Sequence, residues 1–256
     1  MSGSVDLLCD GAIAEIVLRQ PARRNAISAA MWQQIVGIAT GDALDGIACV
    51  VIRGAGAVFS AGADITGFAE ARGADSAGDY DDLVEHAVRC VEALPMPVIA
   101  AISGHCIGAG ASLACGCDLR VAEESSYFAV PAAKLGLGYD PRGISRFRRI
   151  FGDVATRQIL FSAGRMPAAR AYELGAVSVL AADGAARDEA MAMAARIGAN
   201  APLTIRAAKF ALREIGGQYE PSAEAVEMVA QADRSADYAE GRAAFAEKRS
   251  PEFKGE

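Results

Sequence analysis

The chain has 256 residues, 52% of them hydrophobic, with 25 Lys+Arg against 32 Asp+Glu and a formal net charge of −7. That length and apolar content suffice for one large core with an appendage, and the acidic balance argues against a general nucleic-acid or anionic-membrane binder. Six cysteines are spread along the chain, at Cys9, Cys49, Cys90, Cys106, Cys115 and Cys117. A disulfide framework would be denser and sit in a shorter secreted chain, so reduced, buried thiols are expected. Cys115-Gly116-Cys117 has no matching second pair and two histidines at most to join it, so no metal is expected. No basic segment followed by an apolar run opens the chain, and no stretch approaches the ~20 apolar residues of a membrane span. These features fit a cytoplasmic enzyme without membrane contact.

Val5–Cys9 and Ile13–Leu18 read as a hairpin around the turn dipeptide Asp10-Gly11. Ser28 is placed to cap a helix reaching roughly Leu44, with Met31, Ile35 and Ile38 on one face. Ala48–Arg53 is a short continuous apolar run, as in a strand buried on both sides. A Gly/Ala-rich loop follows, and residues 69–79 read as a mobile surface stretch. Tyr80–Leu94 is helix-like and stops at Pro95. Val98–Ile102 and Leu119–Ala122 are further strands around a small-residue helix from about Gly108 to Cys115. This alternation predicts an α/β core with parallel pairing. From about Ala185 every segment reads as helix (Ala185–Ile197, Leu203–Ile215, Ser222–Gln231 and Ser235–Lys248). The expected organisation is a core over 1–195 and a helical C-terminal subdomain over 196–256.

Two segments place small residues directly after buried strands: Phe59-Ser60-Ala61-Gly62-Ala63-Asp64-Ile65 and Gly104-His105-Cys106-Ile107-Gly108-Ala109-Gly110. Both leave backbone N–H groups uncovered, and the second opens a helix, whose first turn adds unpaired donors and partial positive charge. Two such donors converging on one point make an oxyanion hole. Close packing of strand on helix explains either segment alone equally well.

Taken together and in order, these segments resemble the crotonase family of enoyl-CoA hydratases and isomerases. The resemblance runs through Arg24-Asn25-Ala26-Ile27, Cys117-Asp118-Leu119-Arg120, Phe128-Ala129-Val130-Pro131, Lys134-Leu135-Gly136, the stretch 161–177 and Phe245-Ala246-Glu247-Lys248-Arg249. It implies a spiral of ββα units with a helical C-terminal subdomain, assembled as a homotrimer or dimer of trimers. That subdomain would mediate assembly, with stripes such as Val226, Val229 and Tyr238. It implies an acyl-CoA substrate and no separate cofactor, and an enzyme of the lyase or isomerase class. The thioester carbonyl would accept hydrogen bonds from the amides of Ala63 and Ala109, stabilising an enolate. The loop Ala61, Ala63, Asp64 and Ile65 would pass the adenine, with Arg24, Phe245 and Lys248 near the nucleotide end.

The chain departs from a hydratase where that resemblance would place its two glutamates, for Ser112 and Ala132 stand there. Neither exchanges a proton near neutral pH as hydration needs. Asp140, eight positions after Ala132, matches in offset the acid of dienoyl-CoA isomerases and aroyl-CoA dehalogenases. Tyr139 matches a tyrosine of methylmalonyl-CoA decarboxylases, which carry His where Ala63 stands here. Isomerase, decarboxylase or hydrolase chemistry is therefore open, with apolar Leu135 and Leu137 expected to desolvate Asp140 and raise its pKa. Asp140 also suits a cap for a helix starting at Pro141 or Arg142. His86 is a lesser candidate, and His105 reads as structural. Arg142, Arg146, Arg148 and Arg149 read as a solvated or oligomer-contact face. A catalytically silent acyl-CoA-binding protein is the rival reading. Gly54-Ala55-Gly56 makes a poor dinucleotide fingerprint, because Phe59 occupies the third glycine position.

Overall fold

The computed structural model describes residues 3–64, 77–135, 138–215, 223–247 and 249–256. Strands β1 (Ser4–Asp10) and β2 (Ile13–Arg19) pair antiparallel, with Asp10 opposite Ile13. Their turn is Gly11-Ala12, one residue beyond the expected Asp-Gly. Gly11 takes φ +57 at the first central place, where a tight hairpin turn needs the left-handed region.

From β2 onward the chain repeats one pattern: a strand in a large sheet, a short stretch in a second layer, then a helix. The first round is β2, Ile27 and α1 (Ala29–Thr40); the second is β3 (Cys49–Gly54), residues 60–63 and α2 (Ala77–Ala93). The third is β4 (Val98–Ile102), β5 (His105–Ile107) and α3 (Ala109–Gly116), and the fourth β6 (Leu119–Glu123), β7 (Tyr127–Ala129) and α4 (Pro141–Ser162). Strand β8 (Arg165–Pro167), α5 (Ala168–Glu173) and β9 (Val179–Ala181) follow. The large sheet runs β1-β2-β3-β4-β6-β9 and is parallel from β2 on. The second sheet is β5-β7-β8, continued by single bridges at Ser60–Cys106 and Ile27–Ala63. This is the expected α/β fold of strand–strand–helix units.

Side-chain alternation along the parallel strands divides the core in two. Val50, Ile52, Val98, Ala100 and Ile102 face a cluster with Trp32, Phe59, Phe128 and Phe147. Cys49, Val51, Ile99, Ala101 and Val121 face the other way, onto Ala186, Ala190 and Ala194 of α6 (Ala186–Gly198). Helix covers both faces, so the strands read as unbroken apolar runs. The boundary expected at residue 195 falls inside α6, whose alanine face belongs to the core. Beyond it come α7 (Pro202–Ile215), α8 (Ala223–Asp233) and α9 (Ala236–Glu247). Lys209 of α7 ties this part back, donating to Met96 O at 2.9 Å and to the Asp118 carboxylate at 2.7 Å.

Several local expectations need correction. Cys49, Cys106, Cys115 and Cys117 are buried, but Cys9 is exposed at the hairpin end. The stretch 69–79 lies largely outside the described residues, as do Leu137 and the side chains of Val226 and Val229. Among the described residues, no helix is long and apolar enough to cross a membrane. Arg146 is no solvated residue. It is 6% exposed, and its guanidinium donates to Glu85 at 3.1 and 3.2 Å and to Glu92 at 3.0 and 3.1 Å, pinning α4 to α2. The helix-face reading failed because the partners of Arg146 lie some 60 positions upstream, beyond any local pattern.

Replacing Arg146 by Met leaves two carboxylates with much of their compensation removed. We expect a loss of about 3–5 kcal/mol in chemical denaturation, partly recovered in the Arg146→Met/Glu85→Gln double variant. A cost near zero for the single variant would show that the network contributes nothing to stability.

Candidate active site

The two small-residue segments lie against each other. Phe59 N–H donates to Ser103 O at 2.8 Å, Ser60 N–H to His105 O at 2.9 Å, and Ile107 N–H to Ser60 O at 3.0 Å. A Cβ on Gly110 would stand 2.5 Å from Ser60 Cβ, and one on Gly62 would stand 3.0 Å from Ile107 O. Gly62 also sits at φ +103 and Gly108 at φ +51, where a side chain is strained. Glycine is thus required by contact at 110, by conformation at 108 and by both at 62.

The Arg24–Ile27 motif holds the same loop from its other side. Arg24 and Asn25 take left-handed conformations at φ 52 and 55. Asn25 is fully buried; its Oδ1 accepts from Gln20 N–H, and its Nδ2 donates to Ala55 O and Val58 O. Arg24 O accepts from Ala61 N–H at 2.9 Å, while Ile27 exchanges bonds with Gly62 O and Asp64 N–H.

These contacts leave Ala63 N–H and Ala109 N–H without a protein acceptor among the described residues. Both alanines line a cavity of about 460 Å³ whose surface is mostly apolar. Both N–H groups are thus donors left available on a mostly apolar wall. Ser112 and Ala132 line the same cavity.

Tyr139 and Asp140 are also on the wall. The Tyr139 hydroxyl donates to Gly108 O at 3.3 Å, with Ser112 close by, and burial pushes its phenol well above the usual range. Asp140 caps α4, accepting from Arg142 N–H at 2.8 Å. The Arg142 side chain also binds both its oxygens and bridges to Asp82. That guanidinium, with the capping bond, lowers the Asp140 pKa, which corrects the expected rise. Leu135 offers no desolvating cover, being 65% exposed.

The other expected residues are divided. Ala61 and Asp64 line the cavity, and Asp64 accepts from Arg23 at 2.7 Å and Gln20 at 2.9 Å. Arg23 also lines the cavity, and Arg24, expected near the nucleotide end, does not. Ile65, Lys248 and the Phe245 side chain lie outside the described residues. His86 is exposed beside Cys90 and off the wall. His105 is off the wall too, its ring 4.9 Å from Tyr127, and burial with nearby Arg24 and Arg165 lowers its pKa. The residue missed is Glu85, a buried carboxylate on the wall held by Arg146 and Arg89. The spacing of Asp81, Val84 and Glu85 with buried Val88 on α2 was the available signal.

Comparison with known proteins places this fold and cavity in a family. The enoyl-CoA hydratase/isomerase family profile matches residues 9–256. The chain is 36% identical to a probable enoyl-CoA hydratase, echA6, of Mycobacterium leprae, over 95% of this chain and 96% of that one. A crystal structure of an enoyl-CoA hydratase/carnithine racemase from Magnetospirillum magneticum superposes with TM-score 0.92 at 36% identity, covering 98% of this chain and 96% of that one. A putative enoyl-CoA hydratase/isomerase family protein from Hyphomonas neptunium gives 0.93 at 35%, covering 98% of each chain. The chain belongs to the enoyl-CoA hydratase/isomerase family, within the crotonase superfamily.

Asp140→Asn keeps the capping oxygen and removes the charge. A carboxyl whose folded pKa is depressed stabilises the fold above its unfolded pKa, and this is lost as pH falls through the folded value. The stability gap between wild type and variant should therefore be full at neutral pH and close as pH drops below the ordinary carboxylate range. Denaturation midpoints at a series of pH values measure it; a gap that widens in acid would contradict the assignment.

Proposed function

We propose that this chain converts an acyl-CoA by holding the thioester carbonyl between Ala63 N–H and Ala109 N–H, stabilising an enolate, and that hydration is not its main reaction. The observation that carries this reading is the pair of unengaged amides on an apolar wall where Ser112 and Ala132 also stand. In this reading Ala61, Ala63, Asp64 and Ile65 flank the nucleotide, with Arg24, Phe245 and Lys248 toward its far end, and no further cofactor takes part. Asp140, ionised at neutral pH through Arg142, serves as a base rather than an acid, in isomerase, decarboxylase or hydrolase chemistry. Tyr139 flanks the same carbonyl-binding segment. Assembly as a homotrimer or dimer of trimers covers exposed apolar side chains such as Leu212 and Tyr238.

A second reading, a silent acyl-CoA-binding protein, is favoured by one observation: Asp140 and Tyr139 are both already engaged, with Arg142 and with Gly108. Binding without turnover across a broad acyl-CoA panel would select it.

Two outcomes test the enzyme reading. Crotonyl-CoA hydration is expected far below the ~10⁴–10⁸ M⁻¹s⁻¹ usual for kcat/KM, and efficient hydration would overturn the roles given to Ser112 and Ala132. Ala109→Pro removes one donor at a first helical position, where proline is tolerated. Turnover of the true substrate should fall by ~10²–10³, and unchanged turnover in the folded variant would exclude Ala109 N–H as a carbonyl donor.

A further inference from the structure

We infer that Tyr139 is a positioning residue that strengthens Ala109 N–H as a donor by hydrogen bonding to the other end of the same peptide group. This rests on the carbonyl-binding reading of Ala63 and Ala109. The carbonyl of Gly108 and the N–H of Ala109 belong to one amide. Its oxygen accepts twice, from Ser112 N–H at 2.9 Å in the first turn of α3 and from the Tyr139 hydroxyl at 3.3 Å. Both lone pairs are then used, and the N–H at the opposite end is left facing no protein acceptor among the described residues. Donors at an amide oxygen draw electron density toward it and leave the N–H more positive. Such polarisation along a hydrogen-bond chain strengthens the next bond by roughly 10–30%.

The phenol is held for this task by its surroundings. The ring packs edge-on to Phe147, with centroids 6.1 Å apart and planes at 79°. Gly143 makes room on α4, since a Cβ there would stand 3.0 Å from Tyr139 Cε1. Desolvation raises the pKa of this part-buried hydroxyl, which favours its protonated, donating form. Helix α3 alone would supply the Ser112 bond in any member of this architecture; the second donor comes from the wall opposite and from one side chain.

The test uses crotonyl-CoA labelled with ¹³C at the thioester carbonyl, its stretching frequency read by isotope-edited infrared difference spectra in the full-length protein. Binding to wild type should lower the frequency, and Ala109→Pro should remove a large part of that shift. Tyr139→Phe, which keeps the ring and the Ser112 bond, should reduce the shift by roughly a tenth to a third. Gly143→Ala, which displaces the ring without removing the hydroxyl, should reduce it in the same direction and serves if Tyr139→Phe does not fold. A Tyr139 that only packs would change the melting temperature or affinity and leave the frequency of bound thioester at the wild-type value; that result overturns this proposal alone. If the wild type shows no shift, or Ala109→Pro leaves it intact, the carbonyl-binding reading itself fails, and this inference with it.

Discussion

The close approach of residues 59–64 to residues 103–110 is the constraint on which the rest of the site depends. Residues 103–110 pair with β7 and residues 59–64 with Arg24–Ile27, and the bonds at Ser60 and Ile107 join the two segments to each other. Gly110 admits the Ser60 side chain, and Ser60 Oγ in turn accepts Gly62 N–H at 3.1 Å. A methyl group at either glycine would separate the layers, moving Ala63 relative to Ala109 and so the two amides relative to each other. The spacing of the second layer thereby fixes a distance between two atoms that have no side-chain means of adjusting it.

A second support lies on the far side of the cavity. Helix α2 contributes Val84 and Glu85 to the wall, and α4 contributes Gly143, with Asp140 at its N-cap. The two helices are clamped through Arg146, Arg149, Glu85 and Glu92. Two of these four groups, Arg146 and Glu85, are nearly buried, so the clamp acts where screening by salt is weak. Its cost in desolvation is offset by several charge-assisted hydrogen bonds to one guanidinium. The effect is to hold α4, with Tyr139 and Asp140 at its start, against α2.

Much of this was legible in the sequence. Doubly buried strands announce themselves as apolar runs, and β4 lies over Val98–Ile102 as read. Ser28 caps α1 as expected, accepting from Met31 N–H. The helix from Ser28 stops at Thr40 and gives way to a single 3-10 turn over Asp42–Leu44, because Gly41 takes extended dihedrals. The short strands β5, β7, β8 and β9 went unread, since three residues are too few to show alternation and their pairing partners are remote. The charged contacts failed for a related reason. Arg146 meets Glu85 across 61 positions, and the pKa of Asp140 is set by a guanidinium two residues on whose direction no pattern reveals. Asn25 was seen only as part of a motif; its work, tying Gln20 to Ala55 and Val58, needs coordinates.

The amides of Ala63 and Ala109 are main-chain atoms, and that has an evolutionary consequence. Substitution at almost any surrounding side chain leaves both N–H groups in place so long as the glycines keep the layers together. The wall positions at 112, 132, 139 and 140 are under no such protection, for each can lose or gain a proton-carrying group in one step. On the proposed reading, a scaffold divided this way lets its chemistry drift while its hold on a carbonyl is kept. On that reading, a chain carrying Ser112 and Ala132 would not need rebuilding to forgo hydration, since two single-residue exchanges on an intact frame would suffice.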